Sequence, residues 1–305
     1  MKKLFFLFLL PIVISCHDED INLRGRGHND INIYLVKEGQ VERFQTDVNL
    51  ESLEVERNPW LKSSEIEFYD GSSNIFYLNT EKEKGNYEGR NFLIQNGNTP
   101  LLLGLFFASY WSYMPQFPSI IAHDDLFYPK DVIGLGGYGF YTNTDSSQEM
   151  LNFKQALEDS GILKEGIGVE VVDVDKVNST TLKYTIRVTN NDTESIYVLD
   201  PGRMGESRFH YYTNGVSLRK DNESYSSFSE KTASSEIKSS WYYKLRPQKS
   251  MVRTITLGGY SDLPEGNVHF YFTFPGANIN DGEWKKPDGR IWLGSKFVEG
   301  DIDLK

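Results

Sequence analysis

Cysteine is nearly absent from this chain: its 305 residues include one, Cys16. A single thiol closes no internal disulfide and builds no multi-cysteine metal site, so neither kind of staple carries the fold. Histidine is scarce too. Of the five in the sequence, His17 and His28 fall near the start, which leaves little for a histidine-based triad. A G-x-S-x-G elbow, an H-E-x-x-H helix and a phosphate-cradling P-loop are missing. Positive charge is in deficit, with 32 Lys and Arg against 43 Asp and Glu and a formal net charge of −11. Such a surface repels phosphate backbones, and no basic cluster opposes it, so nucleic acid is not the expected partner. No apolar run reaches the roughly twenty residues of a membrane-spanning helix.

What apolar continuity there is lies at the beginning. Lys2 and Lys3 precede an apolar run from Leu4 to Ile14, interrupted by Pro11, and Ser15-Cys16 follow. Eleven helical positions rise about 16 Å, roughly half a bilayer's hydrocarbon core, which fits a secretory leader and not a span. The closing Val13-Ile14-Ser15-Cys16 resembles the lipobox of bacterial lipoproteins. That resemblance implies diacylglycerol on the Cys16 thiol, cleavage just before it, and a membrane anchor worth about 0.8 kcal/mol per buried methylene. His17, Asp18, Glu19 and Asp20 come next. An acidic run here resembles the export tag of Bacteroidota-type surface lipoproteins, which implies the outer membrane and the cell face. A spacer that keeps the tether solvated accounts for the same residues. Ile21 to Asp30, with Gly25 and Gly27 between charges, reads as a flexible tether. Residues 1–15 are thus the expected signal peptide and 16–30 a lipidated tether. Loss of Lys2 and Lys3 takes the charge to about −13, and about 290 residues remain, enough for two domains.

Residues 31–163 read as an α+β domain. Ile31, Ile33 and Leu35 alternate with Asn32 and Tyr34, the pattern of a half-buried strand. Ser63 with Glu65 to Glu67 can begin a short helical turn, while Ile66, Phe68 and Tyr69 suit a strand equally. Ile75 to Leu78 is a strand, and Phe92 to Ile94, Asn96-Gly97 and Leu101 to Phe107 make a hairpin with a primed turn at its tip. The densest aromatic segment follows, with Tyr110, Trp111 and Tyr113 as candidate ligand-binding rings. Such rings stack on sugars or grip peptides, but the same segment can simply cap a core. His123-Asp124-Asp125 point to alternating faces if extended, so no metal site is expected there. Gly134-Leu135-Gly136-Gly137-Tyr138-Gly139 has dinucleotide-loop spacing but precedes more strand-like sequence, so a glycine-rich turn or bulge is expected and no cofactor. Ser146 to Gly161 is the one convincing helix: a Ser146/Glu149 capping box, a Met150/Phe153/Leu157 face and a Gly161 stop.

Residues 164–305 change to short strands. Leu182, Tyr184, Ile186 and Val188 alternate with polar neighbours, and Ile196–Leu199, Phe209–Tyr212, Trp241–Leu245, Val252–Leu257, Val268–Phe274, Ile291–Leu293 and Phe297–Ile302 continue the series. An all-β antiparallel sandwich is expected. Thr181 to Asn191, Leu245-Arg246-Pro247 with Ser250, and Leu263-Pro264-Glu265-Gly266 together resemble bacterial immunoglobulin-like modules, across roughly 166–304. This implies a spacer or binding platform without catalytic residues. Ser217 to Ser240 reads as an exposed polar loop, and Asn278 to Glu283 as a turn without calcium-ligand spacing.

The expected function is that of a non-catalytic, membrane-anchored lipoprotein that binds a glycan or a protein, with no cofactor and no metal. Two other classes stay open. One is a structural subunit of a fimbria or envelope assembly; the other is a hydrolase using paired carboxylates, whose separation sequence cannot measure.

Overall fold

The structure, a computed structural model, describes residues 30–42, 45, 48–108, 110–111, 118–122, 128–136, 148–233, 237–277, 279 and 283–305. Cys16, the acidic run after it, Tyr113 and His123-Asp124-Asp125 lie outside the described residues. The protein is mostly β, with several sheets paired mainly antiparallel.

Eight strands form the first sheet: β1 (Ile31–Leu35), β2 (Ile66–Asp70), β3 (Ile75–Leu78), β4 (Asn91–Asn96), β5 (Thr99–Phe107), β6 (Ser119–Ile121), β7 (Val132–Gly136) and β8 (Leu163–Lys164). Their order is β1-β4-β5-β6-β7-β3-β2-β8, with β5–β6 and β2–β8 parallel. In β1 the alternation holds, since Ile31, Ile33 and Leu35 are buried. Before β2 the turn is shorter than expected, ending at Glu65, and the strand reading holds from Ile66. Ser63–Glu65 makes one 3-10 turn, closed by Glu65 Oε2 accepting from Lys62 N at 2.8 Å, and Ile66 then begins the strand. The β4–β5 hairpin forms as expected, but Asn96 faces Thr99, so its central residues are Gly97 and Asn98, one place later than Asn96-Gly97. Gly97 alone of the two has positive φ, +58°, the pattern of a type II′ turn. Of the stretch 134–139 expected as a glycine-rich turn or bulge, Gly134 to Gly136 belong instead to β7, where the Tyr128 ring packs close over Gly134, and residues 137–139 lie outside the described residues.

The run Ile75-Phe76-Tyr77-Leu78 explains why this sheet has two working faces, because all four side chains of β3 are buried. With period two, Phe76 and Leu78 join Tyr69 and Ile133 in one core, while Ile75 and Tyr77 join Phe68 and Val132 in another. Helix α1 (Gln148–Asp159) closes the first core with Met150, Phe153 and Leu157, and Phe153 meets Tyr69 edge-on at 5.5 Å. The Ser146 start lies outside the described residues, but the stop is as expected. Gly161 N donates to Glu158 O and Ile162 N to Leu157 O, a Schellman closure with Gly161 at φ +72°.

The second core is shared with everything downstream. There, β9 (Ile167–Asn178), β10 (Thr181–Asn190), β11 (Ser195–Leu199), helices α2 (Pro201–Met204) and α3 (Glu206–Thr213), β12 (Ser217–Lys220), β13 (Glu223–Tyr225), β14 (Tyr242–Leu245), β15 (Ser250–Leu257), β16 (Gly266–Pro275), β17 (Lys285–Lys286), β18 (Gly289–Ile291) and β19 (Ser295–Leu304) follow. They make three sheets ordered β15-β10-β9, β14-β11-β18-β17 and β13-β12-β16-β19. Phe209–Tyr212, expected as strand, is helix instead. Asp200 caps α2 by accepting from Gly202 N at 2.9 Å, Gly205 at φ +84° lets α3 follow, and Phe209 and Thr213, four apart, form its buried face. The Ser217–Ser240 loop is also partly ordered, because it begins with the β12–β13 hairpin.

The chain passes from the first sheet to the rest through Gly166, with φ +74°. A Cβ there would lie 2.1 Å from Ser72 Oγ and 2.3 Å from Asp70 Oδ1. Only glycine fits both the backbone angle and the space. Gly166→Ala is expected to lower stability by about 2–4 kcal/mol in urea unfolding. Gly161→Ala, with nothing within 4 Å of its new methyl, should cost only about 1 kcal/mol; equal losses would contradict this packing.

Candidate functional site

Where Gly166 crosses, the first sheet and the strands that follow it are joined by buried charge. Asp70 ends β2, Asp192 lies in the turn before β11, and Arg290 sits in β18. Arg290 Nη2 donates to Asp70 Oδ2 at 2.7 Å and lies 2.5 Å from Asp192 Oδ2, with its side chain 1% exposed. Burial opposes its charge, but Asp70, the Tyr77 phenol and Asp192 together outweigh that and push Arg290 above its ordinary value. The other carboxylate oxygens are also engaged. Asp70 Oδ1 accepts from Ser72 N at 2.9 Å and Ser72 Oγ at 2.6 Å, and Asp192 Oδ1 accepts from Gly166 N at 2.9 Å. Two tryptophans bind across the same seam: Trp292 Nε1 donates to Ser72 Oγ and Trp284 Nε1 to Asp131 Oδ2, each at 2.8 Å.

Above this seam opens a cleft of about 510 Å³, lined by β2, β8, the turn at 193–195 and residues 284–290. Its base is aromatic. Phe68 stacks on Tyr77 with centroids 4.5 Å apart, and Trp284 meets Tyr77 edge-on at 4.7 Å. Over these rings stand charges already in pairs. Lys164 Nζ lies 4.1 Å from the Phe68 centroid and bonds Glu194 at 2.9 Å; Lys285 Nζ lies 4.7 Å from the Trp284 centroid and bonds Glu67 at 2.7 Å. Asp288 accepts from Tyr197 OH at 2.9 Å and pairs with Lys244, contacts that hold its carboxyl below the usual range, Lys244 contributing most. Lys286 completes the rim. Among the described residues no histidine lines this cleft, and no group of three or more His, Cys, Asp or Glu is placed to hold a metal ion. Its lysines and carboxylates are directional hydrogen-bond partners fixed in place, an arrangement suited to reading a polar ligand.

The aromatic residues singled out from the sequence lie elsewhere. Tyr110 is 69% exposed and its hydroxyl donates to Glu88. Trp111 is half-buried, edge-on to Phe107 at 5.2 Å. The surface therefore receives Tyr110, while Trp111 leans on the end of β5. The cleft escaped sequence reasoning because its walls come from residues more than two hundred positions apart, such as Glu67 and Lys285. Lys285-Lys286-Pro287-Asp288, a charged turn beside Trp284, was the local signal available.

No protein-family model matches the chain, and no curated protein matches it. Among solved structures, a β-glucosidase from Erythrobacter marinus is similar at 13% identity with a TM-score of 0.21. The match covers 46% of this chain and 15% of that one, a likeness too slight to bear on fold or activity.

Two histidines outside the cleft respond oppositely to their surroundings. His210 on α3 is 1% exposed with neither ring nitrogen hydrogen-bonded, and burial, then nearby Lys231, holds its pKa below 6.5. His269 on β16 lies 2.8 Å from Asp301 and 3.5 Å from Glu299, which raise its pKa, Asp301 most. For His210 the unfolded chain binds the proton first, so stability falls as pH drops from 6.5 through the lowered value. For His269 the folded chain binds it first, so its contribution is full below 6.5 and is lost as pH rises through the raised value. Urea midpoints measured from pH 5 to 8 should peak near 6.5. His210→Gln is expected to flatten the acid limb and His269→Gln the alkaline limb; a profile unchanged by both would contradict the assignment.

Proposed function

We propose that this chain is a membrane-anchored, non-catalytic binding module whose seam cleft takes a glycan or a protein segment. The observation that carries the reading is the cleft itself: aromatic at its base, ringed by preset ion pairs, and contributed by both the first sheet and the strands that follow it. Ligand sites favour such junctions, and fixed polar groups over an apolar floor give orientation as well as contact. The carboxylates at its rim, Glu67, Glu194 and Asp288, are each tied to a lysine, which suits recognition better than proton transfer. The anchor rests on the leader and Cys16, whose lipobox resemblance supports an outer-membrane lipoprotein facing outward. No helix among the described residues is long and apolar enough to cross a membrane. In fold terms we read 31–163 as an α+β unit, supported by α1 on its sheet, and 164–305 as an immunoglobulin-like sandwich, supported by the clean alternation of β10.

Two measurements test this. Cys16→Ala should release the chain from membranes; unchanged attachment would remove the anchor. For the cleft, the purified protein is screened against glycan and peptide arrays, and hits are titrated with wild type, Lys286→Glu and Glu194→Lys. Both substitutions are expected to weaken binding by about tenfold or more with little change in melting temperature. Hits indifferent to both but lost in Tyr110→Ala and Trp111→Ala would move the site to the aromatic segment.

A further inference from the structure

His210 is buried with neither ring nitrogen hydrogen-bonded, and its roof is a strap of chain. Ser207, His210 and Asn214 stand three and four positions apart on α3 and its C-cap, so they share one face. Residues 231 and 232 bond both ends of that stripe. Lys231 donates to Asn214 Oδ1, Thr232 N donates to Ser207 O at 3.2 Å, and the Ser207 and Thr232 hydroxyls lie 3.0 Å apart. The strap therefore crosses the helix over His210. Its base is held by a different element. Phe228 N donates to Gly259 O at 2.8 Å, and Ser227 Oγ and Ser229 Oγ both donate to the Gly258 carbonyl at 2.6 Å. Glu230 lies exposed between the two anchorages.

The polar groups around the ring come from three elements. The strap brings the Lys231 ammonium, which with burial holds the imidazole below its ordinary pKa. Helix α3 brings Glu206, one turn earlier, but its Oε1 accepts from Thr256 N at 3.4 Å, and Arg208, which turns to Met204 O at 3.3 Å. The segment after β15 brings the Tyr260 hydroxyl, across Gly215 from the ring and donating to Val216 O at 2.7 Å. No carboxylate among the described residues bonds His210. A proton on this ring is therefore a buried, unpaired charge beside an ammonium, the costliest kind of polar burial. Lifting the strap removes Lys231 and admits water, at the cost of the few surface contacts that hold it to α3. We propose that residues 230–233 form an acid-released cover: when His210 takes up a proton, the segment swings off α3 about its fixed base at 227–229. This uncovers the Ser207/His210/Asn214 face while the sheets stay folded. The device is independent of the seam cleft.

The test is amide hydrogen exchange of the full purified chain from pH 7.5 to 5.5, corrected for intrinsic rates and resolved at Phe228, Thr232 and β10. The His210 ring signal is followed by NMR over the same range. One proton linked to opening changes the opening constant about tenfold per pH unit, so Thr232 protection should fall about tenfold between pH 6.5 and 5.5. At pH 5.5 Thr232 should exchange at least about tenfold faster than the β10 amides, and the Phe228 amide at the base should change less than about twofold. His210→Gln and His210→Phe should each remove the pH dependence at Thr232. In wild type the ring should titrate at the same midpoint as the Thr232 transition. Constant Thr232 protection, a pH effect that survives in either variant, Thr232 exchanging no faster than β10, or a ring that titrates away from the Thr232 midpoint would each overturn the proposal; the last of these needs no variant to fold.

Discussion

Everything in this molecule depends on one buried cation. Arg290 is shared between Asp70, at the end of a strand in the first sheet, and Asp192, in the turn leading to β11, with all three side chains nearly inaccessible. Taking a guanidinium and two carboxylates out of water costs several kcal/mol per ion, and their attraction offsets this only when the remaining groups are satisfied. Ser72 and Gly166 supply that satisfaction on the carboxylate side, while Arg290 Nε and Nη1 stay buried without a hydrogen-bond partner among the described residues. The gain over an apolar substitute is therefore small. What the triad fixes is register, because Arg290 of β18 meets Asp70 of the first sheet and Asp192 of the turn before β11 at once.

That register creates the cleft. Phe68, on the same strand as Asp70, forms its floor, and residues 284–290, on the segment that carries Arg290, form its far wall. The ion pairs at the rim add little to stability in water-exposed positions. Their value is in direction: each lysine is held over an aromatic face by its carboxylate partner, so donors and acceptors are already aimed when a ligand arrives.

Much of the fold was legible wherever a single period ruled a segment. The β10 alternation, the Met150/Phe153/Leu157 stripe and the Gly161 stop each stand on local chemistry, and each is found in place. Phe209-His210-Tyr211-Tyr212 was misleading because four consecutive rings have no polar phase and strand propensity filled the gap. The deciding features were Asp200-Pro201 and Gly205, a cap and a hinge several residues upstream. The Gly134–Gly136 stretch misled in the other direction: glycine signals a turn, but here it makes room for the Tyr128 ring over a strand. The cleft was illegible for a different reason. Asp70 and Arg290 are two of 75 charged residues, and nothing local distinguishes a carboxylate that will be buried from one that will stay wet. The roof over His210 was equally hidden, because burial is a property of the fold and not of the residue.

The most direct test of this account is equilibrium unfolding of wild type and Arg290→Met, followed in parallel by tryptophan fluorescence and far-ultraviolet circular dichroism. The account predicts one coincident transition for the wild type, since the first sheet and the strands that follow it share a core and are locked by the triad. It predicts a loss of about 3–5 kcal/mol in Arg290→Met, which leaves two buried carboxylates unpaired, and partial recovery when Asp70→Asn and Asp192→Asn are added. Two separate transitions in wild type, with Arg290→Met shifting neither, would contradict it.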